Sequence, residues 1–195
     1  MKHTNNKHHH FILFKPYGYL SQFVNNQTRR KNKKMLGELY DFPENTMAIG
    51  RLDEHSEGLL LLTTDGKMSE YIRSSKIEKE YFAQVDGEIT QEAIQKLKNG
   101  VEINTEIGKY ITKPSIVFKL AESPQLPKRV KKIRDERHGA TSWISITLRE
   151  GKFRQVRKMT AVVGYPTLRL VRVRIGTIHI NNMLAGEVKE TNSFI

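Results

Sequence analysis

The densest run of reactive side chains in the sequence is Arg51-Leu52-Asp53-Glu54-His55-Ser56-Glu57, which lies between two apolar stretches, Met47 to Ile49 and Leu59 to Thr63. Strands on either side would hold such a loop rigidly, as a site loop requires. A carboxylate is ionised at neutral pH without a partner base, so Asp53 is a candidate base or nucleophile, with an ordinary turn carboxylate as the plain alternative. Asp53, His55 and Glu57 could also be read as ligands, but their alternation matches no recognised metal motif and no metal is expected. His8, His9 and His10 read as part of a polar tail. A second cluster begins at Phe153. There Phe153, Val156, Met159 and Val163 mark one face of a helical pattern, and Arg154, Arg157 and Lys158 mark another. Guanidinium groups stay charged and donate in a fork, which suits phosphate or a buried carboxylate; a solvated basic face is the alternative.

These clusters need elements to position them. Residues 1–9 are expected to be a disordered tail, followed by a buried strand at Phe11 to Phe14 and the turn Lys15-Pro16-Tyr17-Gly18. Residues 25–34, NNQTRRKNKK, read as a basic loop, and a short amphipathic segment surrounds Leu36, Leu39 and Tyr40. The Met47 to Ile49 strand leads into Gly50, the Leu59 to Thr63 strand closes at Asp65-Gly66, and a helical pattern runs through Met68, Tyr71 and Ile72. Glu78 to Val85 alternates as a half-buried strand, and Thr90 caps a helix that turns Ile94 and Leu97 inward and stops near Gly100. Strand signals recur at Val101 to Asn104, Tyr110 to Leu120 and Ser142 to Leu148. Between the last two, Pro124 to Gly139 forms a basic excursion with Lys128, Arg129, Lys131, Lys132, Arg134 and Arg137. A helix from Phe153 to Val163 with Gly164 at its C′ position, then strands near Leu168 to Ile175 and Thr177 to Ile180, complete the core. Many strands and few helices, with no internal repeat or long Ser/Gly linker, predict one α+β unit on a mixed, largely antiparallel sheet.

Composition narrows the function. Among 195 residues, 33 Lys and Arg against 21 Asp and Glu leave a formal charge of +12, which favours an acidic partner such as RNA, DNA or an anionic membrane. The absence of cysteine excludes disulfides, thiol nucleophiles and thiolate zinc sites. The longest purely apolar run, Leu59 to Leu62, falls far short of the ~20 residues of a membrane-spanning helix, and the polar start MKHTNNKHHHF has no secretory pattern. A cytoplasmic protein is the expectation, with a chain long enough to bury roughly 70% of its unfolded surface.

Three ordered blocks carry a family resemblance. Gly50-Arg51-Leu52-Asp53 followed by Ser56-Glu57-Gly58-Leu59-Leu60-Leu61-Leu62-Thr63 and Asp65-Gly66 resembles the signature of the ribosomal pseudouridine synthases. Lys79-Glu80-Tyr81 with Gly87, and Glu150-Gly151-Lys152-Phe153-Arg154-Gln155-Val156-Arg157-Lys158-Met159, resemble the second and third motifs, and Gly164-Tyr165-Pro166-Thr167-Leu168-Arg169-Leu170 continues the pattern. Ser56 stands where threonine is frequent, Thr64 where asparagine is usual, and Phe153 where asparagine often precedes the arginine. The resemblance covers approximately residues 11–187 and implies a catalytic domain over residues 10–190, with flanking helices and a central RNA-binding cleft. Family members commonly begin with an S4-like domain; here the first strand starts the catalytic domain almost at once, and no separate S4 domain is expected.

The resemblance implies isomerisation of a uridine in 23S rRNA to pseudouridine, without a cofactor, by a protein that acts as a monomer. It makes Asp53 the catalytic carboxylate, Arg157 its partner with Arg154 as fallback, and Tyr81 the active-site tyrosine, whose plain alternative is a core tyrosine on a strand. RNA contacts are expected from Arg51, Arg154, Lys158, Lys15, Arg29, Arg30, Lys33, Lys34, Lys128 and Arg129, with Lys31 and the rest of the 128–137 excursion adding phosphate contacts. Extruding a stacked base costs a few kcal/mol, which such contacts would offset. The alternatives are a synthase acting on another RNA, a non-catalytic rRNA-binding or assembly protein, and a metal-dependent nuclease built on Asp53, His55 and Glu57.

Overall fold

The computed structural model describes residues 8–24, 32–74, 77–133 and 136–194; Arg29, Arg30, Lys31 and Arg134, like residues 1–7 of the expected tail, lie outside the described residues. Strand β1 (His10–Lys15) is followed by a 3-10 turn at Leu36–Glu38, β2 (Met47–Ala48), β3 (Glu57–Thr63), α1 (Gly66–Arg73), β4 (Lys79–Asp86) and α2 (Gln91–Asn99). Then come β5 (Glu102–Thr105), β6 (Gly108–Ile111), β7 (Ile116–Lys119), β8 (Thr141–Leu148), α3 (Gln155–Val162), β9 (Thr167–Ile175), β10 (Ile178–His179) and β11 (Val188–Thr191).

The leucine run of β3 explains the architecture. All seven of its residues are buried, so apolar layers must cover both faces. Leu59 and Leu61 join Phe14, Ile72, Val171, Val173 and Ile175, while Leu60 and Leu62 join Phe11, Leu13 and Leu36. A third layer sets Ile94 and Leu97 of α2 and Val156 and Met159 of α3 against Ala83, Val85, Ile144 and Ile146 of the sheet. The strand order is β11-β1-β3-β9-β4-β8-β7, with β2 added to β3 and β10 to β9, and β5 pairs separately with β6. Only β3 and β9 run parallel, through Glu57 opposite Val171 and Gly58 opposite Arg172, so the sheet is mixed and largely antiparallel, as expected. Gly58 permits this junction: at φ +100° a Cβ would lie 2.3 Å from the Arg172 carbonyl oxygen.

The capping residues act as the sequence suggests. Asp65 accepts from the amides of Lys67 and Met68, Thr90 accepts from Ala93, and Gly164 follows α3 at φ +91°. Three expectations need correction. The single strand at Tyr110 to Leu120 is two, β6 and β7, because Pro114 has no amide to donate and Thr112 and Ser115 turn theirs to Val101 and Lys98. The last helix begins at Gln155, since Arg154 adopts left-handed φ 54°, ψ 35°; Phe153 is therefore 63% exposed and not part of the core face. The core also continues past Ile180: β11 pairs with β1, although its four residues are half-buried or exposed and carry almost no apolar signal.

Candidate active site

The loop bearing Asp53 is pinned from several directions. The Ile49 amide still pairs with Leu61, after which Gly50 turns the chain at φ +70°. The buried Ser21 hydroxyl donates to the Leu52 carbonyl at 2.8 Å and accepts from the Leu52 amide at 3.0 Å, and the Gly18 amide donates to the Glu54 carbonyl at 2.8 Å. Asp53 closes the turn itself, with Oδ1 accepting from the His55 amide at 3.0 Å and its carbonyl from Ser56 at 3.0 Å.

The arginines of the third motif meet this loop. Arg154 Nη1 lies 3.3 Å and Arg157 Nε 3.5 Å from Asp53 Oδ2. Arg157 also donates to the His55 carbonyl at 2.9 Å, to the Ser56 hydroxyl at 3.3 Å and to the Thr167 carbonyl at 3.3 Å, so it fixes the loop backbone as well as facing the carboxylate. Burial lowers its pKa, the Asp53 charge opposes that shift, and Arg154 reinforces it. Arg154 reaches Asp53 from its left-handed backbone, a strained conformation of the sort that accumulates at functional sites.

Asp53 opens onto a cavity of about 480 Å³, within the size range of small-molecule sites. Leu52, Leu148, Val156 and Leu170 give it an apolar lining; Tyr81 enters from β4, and Arg51, Lys152, Phe153 and Arg154 also line it. Strand alternation places Tyr81 with Ala83 and Val85 on the face toward α3. The Arg172 guanidinium lies 6.0 Å from the centre of the Tyr81 ring while its Nε donates to the Leu59 carbonyl. A charged group held beside an aromatic hydroxyl and an apolar lining can receive one planar base and act on it away from bulk water.

Glu150 and Gln155 form a polar shelf along this cavity. Burial works to raise the Glu150 carboxyl and is outweighed by bonds from the Tyr110 hydroxyl at 2.5 Å, the Lys113 amide at 2.9 Å and Gln155 at 2.6 Å, which hold it below the usual range. Gln155 in turn accepts from the Lys152 amide at 2.9 Å, so the shelf fixes the loop from which Arg154 projects.

The remaining expected site residues divide. Arg51 is exposed at the cavity, and Lys34 and Lys128 are exposed on the surface. Lys33 is paired with Glu54, and Lys158 is half-buried with its ammonium on the Asn104 carbonyl at 2.8 Å. Lys15 is not at an RNA-facing surface: β1 lies between β3 and β11, and the lysine is wholly buried with Nζ on the carbonyls of Pro16 at 2.9 Å and Tyr19 at 2.7 Å. Burial pulls its pKa down to about 8, against the opposing charges of Asp53, Glu57 and Glu54. Arg129 is also largely withdrawn, with its side chain 10% exposed and 3.5 Å from Glu57.

Glu57 is committed away from any ligand role. Arg169 donates to both of its carboxylate oxygens, at 2.9 and 3.1 Å, and to the Pro127 carbonyl at 2.8 Å. Among the described residues no group of three or more acidic, His or Cys side chains could hold a metal ion. Ser21, Tyr110 and Arg172 were not anticipated at the site. The first has no local signal at all, whereas Glu150 and Gln155 lay inside the third motif and their polarity beside Arg154 was the available clue.

The chain is similar to known proteins along most of its length. Residues 9–162 match the family described as RNA pseudouridylate synthase. A protein of Xanthomonas axonopodis pv. citri named ribosomal large subunit pseudouridine synthase E is 42% identical over 167 residues, covering 85% of this chain and 84% of its own length. A Vibrio vulnificus protein of the same name is 39% identical over 181 residues, covering 92% of this chain and 73% of its own. A solved structure described as a pseudouridylate synthase superposes with a TM-score of 0.73 over 94% of this chain and 70% of the other, at 24% identity, and shows the shared fold. With the match spanning β1 to α3 and so including the loop of Asp53, Tyr81 and both arginines, the chain belongs to the RNA pseudouridylate synthase family.

Proposed function

We propose that this enzyme isomerises a uridine of large-subunit (23S) ribosomal RNA to pseudouridine at Asp53, as a monomer in the cytoplasm, with residues 10–190 forming the catalytic domain. The N1–C1′ glycosidic bond breaks, the uracil turns, and a C5–C1′ bond forms; the hydrogen on C5 leaves as a proton and N1 gains one, so nothing is consumed. The observation that carries the assignment is the Asp53 carboxylate at the cavity, 16% exposed and faced by Arg154 and Arg157 at 3.3 and 3.5 Å. Asp53 serves as the catalytic carboxylate and Arg157 orients it. Tyr81 offers a ring for the displaced uracil and a hydroxyl to handle a proton.

The large-subunit target rests on the names of the Xanthomonas and Vibrio relatives, and the basic excess supplies the attraction to RNA. Arg51, Lys34 and Lys128 are exposed for phosphate contact. Among the described residues no helix is long and apolar enough to cross a membrane. The decisive experiment is tritium release from large-subunit rRNA labelled at uridine C5, wild type against Asp53→Asn. Release by the wild type alone is expected; equal release by both proteins overturns the role given to Asp53.

A further inference from the structure

The reaction has no use for the side chain of His55, which lies two residues from Asp53 on the same loop. Its backbone is held at both ends, the amide by Asp53 Oδ1 at 3.0 Å and the carbonyl by Arg157 at 2.9 Å. Its ring is exposed and stacks on Tyr17 with centroids 5.3 Å apart and planes inclined by 20°. Tyr17 also carries the Arg129 guanidinium, 4.0 Å from its ring centre, with Lys131 Nζ at 5.9 Å. Arg129 is seated against Glu57, the residue that starts β3. Imidazole, phenol and guanidinium thus form one fixed group beside the cavity.

Position separates this group from the cavity itself. Asp53, Glu54 and Ser56 line the cavity and His55 does not, which sets its exposed ring beside the cavity rather than in its wall. Extruding a base unstacks its neighbours, and single-stranded RNA is held by stacking such bases on aromatic or guanidinium planes.

We propose that the exposed face of the His55 imidazole is a stacking ledge for the nucleobase adjacent to the uridine held at Asp53. The ledge rests on the isomerase reading of that cavity. Its backbone bonds make it a direct link between the flanking nucleotide and the Asp53–Arg157 pair. Its charge state suits stacking on a base. Burial lowers the His55 pKa against the pull of Glu54 and Asp53, with Arg157 and Arg154 adding to the lowering, which favours the neutral ring. Lys131 beside Tyr17 supplies the cation that a following phosphate needs.

The test compares wild type, His55→Ala and His55→Phe for tritium release from large-subunit rRNA labelled at uridine C5. It adds quenching of 2-aminopurine placed at the adenine positions of the same RNA. His55→Ala should raise KM about tenfold with kcat within about twofold, from the loss of one base–aromatic stack. His55→Phe should restore KM, and quenching should fall in the alanine variant alone. Equal KM and quenching in all three proteins, or equal impairment of both variants, overturns the ledge while wild-type tritium release upholds the isomerase. Quenching that depends on an aromatic residue at 55, without tritium release by the wild type, supports the ledge and overturns the isomerase reading for this RNA. Neither release nor quenching overturns both.

Discussion

Replacing Glu57 by Gln tests whether the loop is held by its flanking ion pair. The carboxylate is 3% exposed and its partner Arg169 10% exposed, so water cannot stand in for either. Glutamine keeps the shape but offers one acceptor where there were two, and turns an N–H toward a guanidinium that itself only donates. Arg129, whose buried Nε has no hydrogen-bond partner and faces Glu57 at 3.5 Å, loses the opposite charge as well. Removing one partner of a buried pair costs about 3–5 kcal/mol. In a chain of this size that lowers Tm by roughly 6–20 °C. Urea unfolding of the variant should show this loss almost unchanged between low and moderate salt, because buried pairs are weakly screened. Glu57→Leu combined with Arg169→Leu removes both charges of the bidentate pair and should recover the part of the loss owed to Arg169, while Arg129 stays without its opposite charge. A Glu57→Gln protein within about 1 kcal/mol of wild type, or a double variant worse than the single one, would refute the reasoning.

Three further outcomes are expected. Burial sets Lys15 near pH 8 rather than 10.5, so between those values the unfolded chain holds more protons and the fold gains stability as pH rises, by roughly 2 kcal/mol between pH 8 and 9.5. Urea unfolding should show a rise larger by that amount in wild type than in Lys15→Met; Lys79, which burial also pulls to about 8, titrates in both and cancels in the difference. Tyr110→Phe removes the 2.5 Å bond to Glu150 and should cost about 1.5 kcal/mol in the same assay, with slower tritium release as the Arg154 loop loosens; unchanged stability and rate would sink the shelf's positioning role. Lys34→Gln or Lys128→Gln should each flatten the dependence of log affinity on log salt by about 0.7, whereas Lys33→Gln, whose ammonium already meets Glu54, should not; three equal slopes would contradict this.

What could be read in advance follows a physical division. Periodicity and capping are local, so β1, β3, β4, α1 and α2 were legible close to their ends. The approach of Arg157 to Asp53 came from the resemblance alone, since no pattern within the sequence relates a loop to a helix a hundred residues away. Burial through long-range pairing was invisible for the same reason. Lys15 and Arg129 looked like surface cations and Glu57 like a potential ligand, because the groups beside them are far off in sequence: Gly58 of β3 opposite Lys15, Glu57 against Arg129, and Arg169 of β9 on Glu57. Arg154 shows the limit of a periodic reading: its spacing was helical, but its backbone is left-handed and it stands just before the helix instead of joining it.

The pairing of β1 with β11 sets an order of events during synthesis. Strand β1 has β3 as one neighbour early, but its other edge stays open until Val188 to Thr191 have been made. Asp53 likewise meets Arg157 only once α3 has been made. A sheet in which β1 pairs with a strand so distant in sequence depends on long-range contacts and folds slowly, and during that interval the uncovered side of HFILFK is open to pairing with another chain. Truncation before Val188 would leave that edge unpaired permanently.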